Sequence, residues 1–178
     1  MESTKTSLAK VLPLIQSPAD NEIRVFFNTT GQLETFFTYK ANLIDIYKEK
    51  LRIDMGKKTI NEYGEELRAL LIKFLQYGYT IIFNFSGSET FDLIGFLKQF
   101  SWFKEDFFEN KNYLSRDYLV KNKILKDEED WDLTNIFQGG WDVRESARLH
   151  FLSELSENLI EKFFAANSKI PLKSIIVE

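Results

Sequence analysis

A chain of 178 residues, 44% hydrophobic and 28% charged, lies in the ordinary globular range and is long enough to bury one core. A formal net charge of −4, without a stripe of clustered Lys and Arg, argues against a phosphate-backbone binder, so no nucleic acid is expected as a partner. The absence of cysteine removes disulfides, thiolate metal sites and Cys nucleophiles together and fits a reducing, cytoplasmic compartment.

Residues 1–22 are polar, carry Pro13 and Pro18, and read as a loose lead-in with room for one short helix; their short apolar stretch, broken by Pro13, is no secretory signal. No run approaches the ~20 apolar residues of a membrane span, and no membrane partner is expected. Residues 23–178 read as one α/β domain. Ile23–Thr29 is a short apolar, β-branched and aromatic run of strand type. From Leu33 the apolar positions Phe36, Phe37, Ile44 and Tyr47 follow a helical spacing. Leu51–Met55 reads as a second strand, closed by Gly56. Thr59 and Glu62 form a capping box that opens a helix ending at Tyr77-Gly78, where glycine suits a left-handed cap.

Tyr79–Phe85 is a nearly continuous apolar run, as a strand covered on both faces requires. Ser88–Phe100 reads as a helix, and 101–146 as an irregular insertion carrying Trp102, Trp131 and Trp141. Ala147–Leu155, Ser156–Ala166 and Lys173–Glu178 close the chain as strand, helix and strand. This order predicts a three-layer α/β/α fold with a mostly parallel five-stranded sheet, because parallel neighbours need crossover connections. The 17 Phe residues must then be buried or sit at an interface.

Ligands of parallel sheets bind at the carboxyl ends of the strands. There the first strand runs into Asn28-Thr29-Thr30-Gly31-Gln32, with one glycine and no lysine where a phosphate loop needs G-x-x-x-x-G-K-[ST]. Gly56-Lys57-Lys58-Thr59 imitates the end of such a loop, but the position five before Gly56 is Leu51, so nothing can wrap a phosphate. The third strand ends at Asn84, which cannot supply the paired acids that hold Mg²⁺. Asp127–Asp132 is acidic but lacks the glycine and closing glutamate of a calcium loop and reads as a solvated loop. His150 has no second ligand at metal spacing and reads as structural. The sequons at Asn28 and Asn84 fall at the ends of expected strands and read as chance. Gly139-Gly140-Trp141-Asp142 with Arg144, Glu145 and Arg148 suits either a partner surface or a turn whose tryptophan plugs the core.

The runs Leu51-Arg-Ile-Asp-Met, Gly78-Tyr-Thr-Ile-Ile-Phe-Asn, Ala147-Arg-Leu-His-Phe-Leu-Ser and Ile175-Ile-Val resemble the degenerate AAA modules of dynein heavy chains. They are also similar to the AAA-like C-terminal domain of IQ-motif and ankyrin-repeat proteins. The resemblance implies a P-loop-NTPase fold without a P-loop, with Thr29 to Gln32 at the phosphate-loop position, Asn84 at that of the Mg²⁺ acids and Ser153 at that of the polar sensor. It implies a non-catalytic protein-interaction or scaffolding module of the cytoskeleton or cilium, without cofactor or metal. Trp131, Trp141, Arg144 and Arg148 are then the candidates for partner binding. The alternative is a nucleotide-binding enzyme with an atypical phosphate site at Gly56, Lys57, Lys58 and Thr59. A strand order of 5-1-4-3-2 would support the AAA relation, and 3-2-1-4-5 a dinucleotide-binding ancestry.

Overall fold

Ile23–Phe27 (β2) and Arg148–Ser153 (β5) are buried at every residue, as strands roofed on both faces must be. They lie at the centre of an all-parallel sheet in a computed structural model that describes residues 4–16, 22–130 and 141–178. The other strands are β1 (Thr4–Thr6), β3 (Asn42–Asp45), β4 (Thr80–Asn84) and β6 (Leu172–Val177). Their order across the six-stranded sheet is β1-β6-β2-β5-β4-β3. The helices are α1 (Val11–Gln16), α2 (Gln32–Lys40), α3 (Ile46–Asp54), α4 (Ile60–Tyr77), α5 (Leu93–Leu97), α6 (Arg116–Lys121) and α7 (Ile160–Ala166).

Side chains alternate across a strand, and here the alternation sorts the core into two layers. Val25, Phe27, Ile81, Phe83, Leu149 and Phe151 face the larger cluster, with Leu67 and Leu71 of α4, Leu93 and Leu97 of α5, and Phe163 of α7. Phe26, Ile82, Leu152 and Ile175 face the smaller one, with Val11 and Ile15 of α1 and Leu33 and Phe37 of α2. The three-layer α/β/α arrangement expected from the sequence is present, with one strand more.

That sixth strand corrects the reading of residues 1–22 as a lead-in. Thr4–Thr6 pairs with Ile175–Val177, and α1 closes the smaller face. Two buried polar side chains of that face hold α1 in place. Arg24 Nη1 donates to the Leu14 carbonyl at 2.6 Å, and His150 Nε2 meets the Ile15 carbonyl at 3.3 Å. The Arg24 backbone N–H donates to His150 Nδ1 at 3.2 Å, so the neutral ring carries its proton on Nε2 and donates it to Ile15.

The expected strand at Leu51–Met55 is a second correction, since Leu51 to Asp54 lie in α3. Asp45 accepts the Lys48 N–H at 3.0 Å and caps that helix, while Arg52 pairs with Glu49 along its surface. The strand lies earlier, at Asn42–Asp45, because α2 stops at Lys40 and Ala41 is extended (φ −146°). The helix expected over Ser88–Phe100 is regular only at Leu93–Leu97, where the Asp92 carboxylate accepts the Gly95 N–H at 2.9 Å. The capping box at Thr59 and Glu62 and the left-handed Gly78 bound α4 as expected.

The insertion absorbs much of the aromatic load. Phe100 and Trp102 stack at 5.9 Å, Phe107 meets Phe108 edge-on at 5.1 Å, and Phe108 packs against Phe151 of the sheet. Trp102 Nε1 donates to the Gly64 carbonyl at 2.7 Å, an approach that needs glycine because a Cβ there would lie 2.7 Å from the Phe100 ring. A charged latch completes the docking. The Arg68 side chain, 2% exposed, forks onto both Glu129 oxygens at 2.6 and 2.7 Å, donates to the Ile124 carbonyl at 2.7 Å, and also binds Glu65.

Removing Glu129 takes two charge-assisted hydrogen bonds from the buried Arg68 but leaves it Glu65 and the Ile124 carbonyl. Glu129→Ala should therefore lower unfolding free energy in urea by about 2 kcal/mol, whereas Lys123→Ala, which breaks an exposed pair with Asp127, should change it by less than about 0.5 kcal/mol. The Arg68 hydrogen bond also holds the Glu65 carboxyl down to about 2. A carboxyl lowered in the fold stabilises above its unfolded range and loses that contribution as pH falls through its folded value. The stability advantage of wild type over Glu65→Gln should accordingly be present at about pH 6 and absent at about pH 2.

Candidate functional site

Every parallel strand delivers its last residues, and the start of the next helix, to the carboxyl edge of the sheet. At that edge β2 leaves through Asn28, Thr29, Thr30 and the left-handed Gly31 (φ 69°) into α2. Backbone amides free to cradle a phosphate are what such a turn would need. Here Asn28 organises the turn internally instead. Its N–H donates to the Ser153 carbonyl, its Nδ2 to the Val177 carbonyl at 3.0 Å, and its Oδ1 accepts the Thr30 hydroxyl at 2.9 Å.

A cleft of about 320 Å³ opens beside this turn, lined by Asn28, Thr30, Gln32 and Leu155 together with Glu157 and Glu178. Lys5, from the edge strand β1, bridges those two carboxylates at 3.3 and 3.0 Å. Its bonds to Glu178 and Glu157 raise the ammonium pKa above the usual lysine value. Lys5 is thus held by two anions that line this cleft.

The neighbouring strand ends are acidic too. Glu154 follows β5, and its carboxyl is pushed up by burial and then by the negative charges of Glu34 and Asp45. Asn84 is 1% exposed, and its Oδ1 accepts the Ser86 N–H at 2.9 Å, while its Nδ2 has no partner among the described residues. Ser153, which the resemblance puts at the polar-sensor position, is fully buried and its hydroxyl accepts the Leu155 N–H. The Asn28 and Asn84 side chains are both buried.

Gly56–Thr59 forms the turn between α3 and α4. Gly56 is left-handed (φ 68°), the Gly56 N–H bonds back to Ile53, and Thr59 caps α4. Lys58 is engaged by Glu49 at 3.2 Å and by Glu66, and lies 4.9 Å from the centre of the Tyr63 ring. Burial lowers its pKa, but the two carboxylates outweigh that and leave it raised. Lys57 is exposed. The Gly56, Lys57 and Thr59 N–H groups are bonded to Ile53, Arg52 and Glu62.

The partner-binding candidates separate. Trp131 lies outside the described residues. Trp141 is 1% exposed, which corrects its candidacy as a surface anchor: it is a core plug, and its Nε1 has no partner among the described residues. Arg148 is likewise corrected, being 4% exposed and bonded to the Glu145 and Ala147 carbonyls. Arg144 alone of the described candidates reaches solvent. The acidic stretch is also less solvated than expected, since Glu129 grips Arg68 and Asp130 grips Arg116 at 2.7 Å. No group of three or more metal-type ligands occurs among the described residues, and none of their helices is long and apolar enough to cross a membrane.

At the opposite end of the sheet lies a feature that apolar periodicity hides. Tyr77 and Tyr79 are 54% and 45% exposed and stack with ring centres 5.7 Å apart. Their flanking Gly78 was the one signal in the sequence, because a left-handed cap forces both neighbours to the same turn. Compared with known proteins, the chain matches no family model, no curated protein and no solved structure.

The Glu154 carboxyl, raised in the fold, favours the folded state below its unfolded pKa and loses that contribution as pH rises through its folded value. Glu154→Gln should therefore raise the unfolding free energy at neutral pH, by less than about 1 kcal/mol, and the gain should vanish below about pH 4 in a pH series of urea titrations.

Proposed function

We propose that the chain is a non-catalytic AAA-like module that works as a scaffold through protein–protein interaction. The observation that carries this reading is the cleft at the end of β2: its lining includes Glu157 and Glu178, and Lys5 is bound to both. A triphosphate placed there would meet two carboxylates and a turn whose asparagine is bonded to its own neighbours. Strand order supports the AAA side of the reading. Leaving out the edge strand β1, the remaining strands numbered along the chain lie 5-1-4-3-2.

The resemblance to dynein modules directs the search for a partner to the cytoskeleton and the cilium, in a cytoplasmic setting. Against the alternative of a nucleotide-binding enzyme stand the two carboxylates that occupy Lys58 and the helix-capping role of Thr59. Titration calorimetry with Mg-ATP and with Mg-GTP should show no binding tighter than about millimolar. Tighter binding that disappears in the Lys57→Ala, Lys58→Ala double variant would replace this reading with the enzymatic one.

A further inference from the structure

We propose that the Tyr77–Tyr79–Arg144 corner is the docking surface of this module, and that it takes an acidic peptide segment with a carboxylate on Arg144 and an apolar side chain on the tyrosine pair. This rests on the protein-interaction reading above.

The corner is rigid before anything binds. Tyr79 leans on Phe74 at 6.0 Å and stacks on Tyr77. Between the two tyrosines, Gly78 adopts φ +71°, and a Cβ there would lie 2.1 Å from Ser146 Oγ and 2.9 Å from the Arg144 Cβ. Residues 144–148, which lead into β5, are bonded to this turn three times. The Arg144 N–H donates to the Leu75 carbonyl at 3.0 Å, the Ser146 hydroxyl to the Gly78 carbonyl at 3.0 Å, and the Arg148 N–H to the Tyr79 carbonyl at 3.3 Å. Two stretches remote in sequence thus present one arginine beside two aromatic rings, with little ordering left to be done on binding.

Its chemistry is unfilled. Arg24, Arg52, Arg68, Arg116 and Arg148 each donate a side-chain hydrogen bond to a carbonyl or carboxylate. Arg144 is the arginine among the described residues whose guanidinium makes no hydrogen bond, ion pair or ring contact. Lys73, one turn before Tyr77 on α4, is exposed and unpaired as well. The register that pairs Asn42 with Ile81 carries the α2–β3 turn, with its exposed and unpaired Lys40, to the same end of the sheet. Among the described residues, the anions beside Arg144 along the chain are Asp142, whose carboxylate is turned onto the Val143 N–H at 2.7 Å, and the exposed Glu145. Three cations against two anions make this a positive spot on a chain of net charge −4, and positive spots select acidic partners. Tyrosine and arginine are also the side chains that dominate binding energy at interfaces.

The test is selection of a random dodecapeptide phage library on the full chain, with fluorescence anisotropy of the enriched peptides against wild type, Arg144→Ala and the Tyr77→Ala, Tyr79→Ala double variant. All three side chains are exposed, and matching thermal midpoints will verify that the variants stay folded. The expected result is a peptide set rich in Asp and Glu around an apolar residue, with affinity reduced about tenfold or more in each variant and weakened by salt for wild type. Enriched peptides that are neutral or basic, or no enrichment, overturn the proposal. Peptides that bind the variants as tightly as wild type also overturn it, while leaving the interaction reading intact at another surface; nucleotide binding in the calorimetry sinks that reading independently.

Discussion

An all-parallel sheet leaves no face for solvent, and most of this structure follows from roofing both sides of six strands. One face has α4, α5, α7 and the aromatic insertion over it. The other would be covered only in part by α2, and the chain completes it with α1, drawn from its polar N-terminal stretch. A short helix has too little apolar surface to dock by itself. Arg24 and His150 supply the rest by donating to its last carbonyls from within the sheet, which satisfies two buried polar side chains and two helix-end acceptors at once.

The same economy governs the insertion. Its aromatic rings could slide over one another, since apolar contact has little directional preference. The fork of Arg68 onto Glu129 and the bond from Trp102 to Gly64 define one register. An acidic run that looks uniform in sequence therefore has members with different tasks: Glu129 and Asp130 hold arginines against the domain, and Asp127 pairs with an exposed lysine.

The two ends of the sheet differ in chemistry. At the carboxyl edge, where strands of this arrangement present catalytic groups, Asn28 and Ser153 are engaged in local bonds and the surrounding charge is negative. At the amino edge the exposed Tyr77 and Tyr79 stack on each other beside the exposed Arg144.

Layer architecture, parallel sheet and α4 with both its caps were legible in the sequence, because each depends on residues close together along the chain. Thr59 with Glu62, Gly78, and the apolar runs at 23–27 and 80–84 carry their own instructions. The assignment of Leu51–Met55 failed because five alternating residues satisfy a strand and a helix surface equally, and the Asp45 cap and the pairing of Asn42–Asp45 with β4 decided between them. The edge strand at Thr4–Thr6 was invisible for a related reason: three polar residues have no strand signal until β6 offers them hydrogen bonds. Which candidate side chains reach solvent was likewise a matter of tertiary structure. Trp141, Arg144 and Arg148 are neighbours in one short stretch, yet only packing against α4 and β4 sends the first and last inward and leaves the middle one exposed.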